Sequence, residues 1–237
     1  MIPIRDDAPR VTTPVVTYFL LGLNVLVYLF EWSLNDRART VLMYQFGVVP
    51  AFVERAIHGA GVPIEAAIVP LFTSMFMHAS WWHIIANMWA LWIFGDNIED
   101  YLGHAKYLLL YVVSGVAAAV LHILFNQGSQ IPTVGASGAI AGVLAAYLLL
   151  YPTSRIGTVI PIGIFFLPAR LPAWLFIIGW FGLQLIDGVM SLNSTSAGGV
   201  AYWAHVGGFA TGLVLVRLFT QPARVSQIRA YHARALN

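Results

Sequence analysis

The chain of 237 residues contains no cysteine. Disulfides, thiolate metal sites and a cysteine nucleophile are therefore excluded. Charge is almost as scarce: Asp, Glu, Lys and Arg make up 9% of the residues and apolar types 59%, whereas a soluble domain carries roughly 25% charge. So little charge cannot cover a water-facing surface, and the composition is that of a membrane protein. No His-Glu-x-x-His run is present, and His78 and His83, five positions apart on one apolar run, are expected on different sides of a helix, which argues against zinc. Nothing in the sequence calls for a metal or any other cofactor.

What the chain does have is apolar runs, about six of them, near the length a helix needs to cross about 30 Å of hydrocarbon. They cover approximately Pro14–Trp32, Pro70–Phe94, Ala105–Phe125, the shorter Ser137–Tyr151, Pro172–Met190 and Ala201–Phe219. The first follows a polar start and lacks a small-residue cleavage site, so it reads as a retained helix. The expected organisation is a cytoplasmic N-terminal segment over 1–13, an all-α six-helix membrane domain over 14–220, and a basic cytoplasmic tail over 221–237. The connection of about 37 residues between the first two runs is expected to form short amphipathic helices at the outer interface. "IGTVIPIGIFFLPAR", interrupted by Pro161 and Pro168, is expected as a hairpin against the inner leaflet.

Lys and Arg set the orientation, because they concentrate in cytoplasmic segments. With six crossings, one side collects Arg5, Arg10, Lys106, Arg155, Arg170, Arg217, Arg224, Arg229 and Arg234, and the other only Arg37, Arg39 and Arg55. Both termini are thus expected in the cytoplasm. The arginines of the tail are expected to meet lipid headgroups and not nucleic acid.

Polar groups at membrane depth are costly and mark function by default. Ser137 begins the fourth run and His205 lies about four residues into the sixth, so the topology puts them at matching depth. A serine hydroxyl needs a base to take its proton, and histidine is the usual base near neutral pH. His83 and Asn87, spaced i, i+4, can point at a common spot. Together with unpaired backbone N–H groups at Gly135 to Ser137 they are candidate donors to an oxyanion. Gly138 and Gly142, and Gly208 and Gly212, form two G-x-x-x-G faces that let the fourth and sixth helices approach closely. His78, His122, Asn24, Ser114 and Gln184 read as interhelical hydrogen-bonding residues. Asp187 lacks the second carboxylate that aspartyl proteolysis needs, since the other intramembrane acid, Glu31, sits at the interfacial end of the first run. Asp96, Glu99 and Asp100, in "FGDNIEDYLG", read as capping and hydrogen-bonding residues of a cytoplasmic loop.

At these residues the chain resembles the rhomboid family of intramembrane serine proteases, of the bacterial six-helix type. "GASG" at 135–138 is similar to the family's G-x-S-G motif, "HIIAN" at 83–87 to its H-x-x-x-N motif, and "AHVGGFATG" at 204–212 to the A-H-x-x-G pattern of its last helix. The resemblance runs over about residues 14 to 220. It implies a six-helix bundle that cleaves single-pass transmembrane proteins with a Ser/His dyad and no third acid. Carried over by residue, Ser137 is the nucleophile, His205 the general base and acid, and His83, Asn87 and the Ser137 N–H hold the oxyanion. One position departs: many members have an aromatic residue four after the serine, packed on the histidine, and here it is Ala141. Two other classes fit the sequence less well. A small transporter would show an inverted repeat, which is not discernible, and a non-cleaving rhomboid-like client-binding protein would be expected to lack Ser137 or His205.

Overall fold

A computed structural model describes residues 2–8, 10–163, 165–191 and 201–220. Strand β1 (Ile2–Asp6) leads into α1 (Val15–Ser33), and the short helices α2 (Asp36–Phe46), α3 (Pro50–Ile57) and α4 (Glu65–Thr73) occupy the long connection. α5 (Trp81–Leu102), α6 (His104–Phe125) and α7 (Ser137–Leu150) follow. Next come strands β2 (Arg155–Ile162) and β3 (Phe165–Pro172), then α8 (Ala173–Ser191) and α9 (Tyr202–Phe219). The chain is a helical membrane bundle. Among the described residues α1, α6 and α8 are long and apolar enough by themselves to cross a bilayer. The tail over 221–237, with Arg224, Arg229 and Arg234, lies outside the described residues.

α7 has 14 residues, too few to span hydrocarbon at 1.5 Å per residue. It need not face lipid along its length, because every residue from Gly138 to Tyr147 is buried. α6, α7 and α9 pack against one another around it, and glycine makes this possible. A Cβ on Gly208 would collide with the Gly138 carbonyl and lie 2.8 Å from its carbon, and one on Gly212 would lie 2.8 Å from the Gly142 carbonyl carbon. The two glycines of α7 lie between both neighbours: Gly138 is against Ala118, with the Ala204 carbonyl oxygen 3.6 Å from where its Cβ would stand, and Gly142 is against the Cβ of Ser114 at 2.5 Å and the Gly208 carbonyl oxygen at 3.2 Å. The small residues of α7 thus serve contacts with α6 as well as α9.

The second apolar run is not one helix. α4 passes into a 3₁₀ turn at Ser74–Phe76, the chain extends at Met77, and α5 starts only after Ser80, whose hydroxyl accepts the His83 N–H at 3.2 Å. At its other end α5 continues through "FGDNIEDYL", so this stretch is helix and not a loop. Its carboxylates do cap, but they cap another element. Glu99 Oε1 and Oε2 accept the N–H groups of Val16 and Thr17 at 2.8 and 2.7 Å, satisfying orphan donors at the start of α1, which has no cap of its own. Asp100 likewise accepts the N–H groups of Val11 and Thr12 at 3.0 and 2.9 Å. These partners are distant in sequence, so the loop reading lacked the reason for the helix to carry acids.

A three-stranded antiparallel sheet, ordered β1-β2-β3, closes this end. The β2–β3 hairpin occupies the stretch expected as a hairpin, and β1 adds a strand from the N-terminal segment. Pro161 pairs with Phe166 past Ile2↔Val159, the outermost described pair of β1, and Pro168 lies on edge strand β3, positions where a missing N–H is tolerated. Asp6 on β1 accepts a hydrogen bond from the Tyr147 hydroxyl of α7 at 2.5 Å, which ties the sheet to the bundle.

Candidate active site

Ser137 is the first residue of α7 and His205 the fourth of α9. The close approach at Gly208, one turn after His205 and opposite Gly138, brings these two helix ends together. Ser137 Oγ lies 2.8 Å from His205 Nε2. His205 is 7% exposed, while Ser137 is only partly buried. The opposite ring nitrogen, His205 Nδ1, lies 2.5 Å from Gln184 Oε1 on α8, and the Trp180 ring stands 5.6 Å from the imidazole. Gln184 does bond between helices, as its type suggested, but its partner was not legible from the sequence. Its position in the outer half of the fifth run, at the depth of His205, is the signal that was available.

Loop residues before α7 complete the pocket. Gly135 has φ +133, a value that favours glycine, and a Cβ there would lie 2.7 Å from the His83 ring and 3.8 Å from Asn87 Nδ2. His83 and Asn87 therefore lie beside Gly135, two residues before Ser137. The Gly135 N–H is not free, contrary to expectation, because it donates to the Ser74 carbonyl at 2.9 Å. The Ser137 N–H, at the first position of α7 with no side-chain cap, has no intrahelical acceptor. Asn87 Nδ2 is buried with no hydrogen-bond partner among the described residues. The loop is fastened from outside by Val48, whose N–H and carbonyl pair with Thr133 at 2.9 and 2.8 Å. From inside, His122 Nε2 lies 2.8 Å from Thr133 Oγ1.

The remaining polar candidates lie apart from this pocket or serve its frame. Asn24 donates to Leu20 of its own helix at 2.8 Å, and Ser114 lies against Gly142. Glu31 accepts the His78 N–H at 3.2 Å. The His78 and His83 rings, expected on different sides of a helix, stand edge to face with centroids 5.1 Å apart, because His78 precedes the first turn of α5 and helical spacing does not apply. Among the described residues no group of three or more His, Cys, Asp or Glu side chains has an arrangement that could hold a metal ion.

A hydroxyl bonded to an imidazole, beside unspent donors at a helix N-terminus and inside an apolar bundle, is an arrangement suited to acyl transfer within a membrane. The Rhomboid domain family matches residues 65–222, and the chain belongs to the rhomboid family. It is 27% identical over 203 residues to Rhomboid protein 1, mitochondrial, of Saccharomyces cerevisiae, covering 84% of this chain and 51% of that one. To the Presenilin-associated rhomboid-like protein, mitochondrial, of Homo sapiens it is 27% identical over 216 residues, 88% and 48% of the two chains. To the RHOMBOID-like protein 1 of Arabidopsis thaliana it is 34% identical over 149 residues, 63% and 34%. The chain spans about half the length of the first two relatives.

Proposed function

We propose that the protein is an intramembrane serine endopeptidase acting on single-pass transmembrane proteins. The observation that carries this reading is the 2.8 Å separation of Ser137 Oγ and His205 Nε2. His205 Nε2 takes the hydroxyl proton as Oγ attacks the scissile carbonyl carbon. The tetrahedral oxyanion is held by the Ser137 N–H, Asn87 Nδ2 and His83. Collapse expels the amine, which takes the proton from Nε2, and leaves an acyl-Ser137 ester. A water molecule then gives a proton to Nε2 as its oxygen attacks the ester, and collapse of the second tetrahedral intermediate releases the acid while the departing Ser137 Oγ takes the proton back from Nε2. A buried amide donor left unpaired costs about 1–3 kcal/mol, so the unpartnered Asn87 Nδ2 fits a group reserved for a charge that develops during reaction. Incomplete burial of Ser137 at the first position of α7 fits a hydroxyl that substrate and water must reach.

The surplus of Lys and Arg at the sheet-bearing end supports a cytoplasmic placement of that end and of both termini, with the pocket near the opposite face of a bacterial inner membrane. The mitochondrial names of two of the relatives make a mitochondrial membrane the competing location. The test of function is fluorophosphonate labelling together with cleavage of a transmembrane substrate in liposomes. Label on Ser137 and turnover are both expected to vanish in Ser137→Ala and in His205→Ala, because nucleophile and base act as a unit. Near wild-type turnover in either variant would remove the dyad.

A further inference from the structure

His205 must present a bare Nε2 to accept the Ser137 proton, and a neutral imidazole carries its single proton on one nitrogen or the other. The Gln184 carbonyl oxygen can only accept. Its 2.5 Å approach to Nδ1 therefore puts the imidazole proton on Nδ1 and leaves the Nε2 lone pair facing Ser137. The same face of α8 supplies Trp180 beside the ring, one turn before Gln184. One turn after it, Gly188 lets α8 close on α9, since a Cβ there would stand 3.3 Å from that of Tyr202. On the α7 side, the residue one turn after Ser137 is Ala141, whose methyl group offers no ring to stack on the imidazole.

We propose, on the reading that Ser137 and His205 form the dyad, that Gln184 is a positioning residue that fixes the tautomer and orientation of His205 from α8. An uncharged amide does this without drawing the proton away from the dyad. Its loss should accordingly cost less than the ~10⁴-fold that follows loss of a charged triad partner, and closer to the roughly 10- to 100-fold of a group that only orients a histidine.

The test uses Gln184→Met, which keeps the volume and removes the acceptor, and Gln184→Glu, which keeps an acceptor oxygen. Gln184→Met is expected to lose about 10- to 100-fold in kcat with KM unchanged, and Gln184→Glu to recover most of that loss. A second readout needs no turnover: nitrogen NMR of histidine-labelled protein, with His205→Gln to assign the signal. Wild type and Gln184→Glu are expected to hold His205 as the Nδ1–H tautomer, and Gln184→Met to show a mixture. Wild-type kcat in Gln184→Met, a Gln184→Glu variant as slow as Gln184→Met, or a pure Nδ1–H tautomer in Gln184→Met would each overturn the proposal. Should the wild type neither cleave nor label, the protease reading falls, and the tautomer measurement alone decides the role of Gln184.

Discussion

Replacing Gly208 by alanine adds one carbon where two helix backbones meet. That carbon would lie 2.8 Å from the Gly138 carbonyl carbon and closer still to its oxygen. Carbon atoms rest at about 3.5 Å or more, so relief of the carbon contact alone requires about 0.7 Å, and the oxygen raises the required separation of α7 and α9 beyond about 1 Å. Neither neighbour is the end of a flexible side chain that can swing aside. Ser137 adjoins Gly138 and His205 precedes Gly208 by one turn, so the shift falls on their 2.8 Å hydrogen bond. A misplacement of about 1 Å costs roughly 100-fold in rate, whereas overpacking typically costs about 1–3 kcal/mol of stability, and helices separated slightly in lipid remain inserted. Gly208→Ala is expected to purify as a folded protein with a lowered melting temperature, and to lose about 100-fold in both turnover and fluorophosphonate labelling. Gly179→Ala and Gly182→Ala on α8, where an added Cβ meets nothing within 4 Å, serve as controls and should behave as wild type. Turnover and labelling within a few-fold of wild type in Gly208→Ala would refute the account in which glycine packing sets the distance between Ser137 and His205.

Asn87→Ala removes one donor among several and is expected to lower kcat by about 10- to 1,000-fold; an unchanged single-turnover rate would take Asn87 out of the oxyanion site. At the sheet end, burial pushes the Asp6 carboxyl up to about 6, opposed by its bond from Tyr147 and reinforced by Asp96 and Asp7. Because the folded value lies above the ordinary one, the stability associated with docked β1 is full at low pH and is lost as pH rises through about 6. Amide exchange in β1 should therefore be faster at pH 8 than at pH 5 after correction for intrinsic rates, with the difference abolished in Asp6→Asn. Equal corrected protection at the two pH values in the parent protein would contradict the burial of that carboxyl.

How much was legible can be seen from the helices that hold the pocket. α1, α6, α7, α8 and α9 begin and end within about two residues of their apolar runs, because the need to keep backbone and polar side chains out of hydrocarbon is expressed locally in every stretch of sequence. The same economy exposed Ser137, His205, His83 and Asn87 as candidates: few polar groups lie at that depth, and helical rise alone aligned them. The glycine pairs likewise announced a close approach of α7 and α9. The break between α4 and α5 was not read from the sequence because Met77 to Ser80 is a short interruption of an otherwise apolar run, and the chain extends there because α5 takes its cap from Ser80.

Partner choice across long separations was decided by tertiary structure alone. Glu99 belongs to the start of α1, more than eighty positions away, the Gly135 N–H belongs to Ser74, and Ile2–Asp6 becomes a strand because β2 offers it an edge. Gln184 is the clearest case. Its amide was visible as a polar group in an apolar run, but an amide can bond any neighbouring donor or acceptor, and nothing local says which. Only the packing of α8 on α9 puts its oxygen against His205 Nδ1, and so decides which nitrogen of that ring is left to face Ser137.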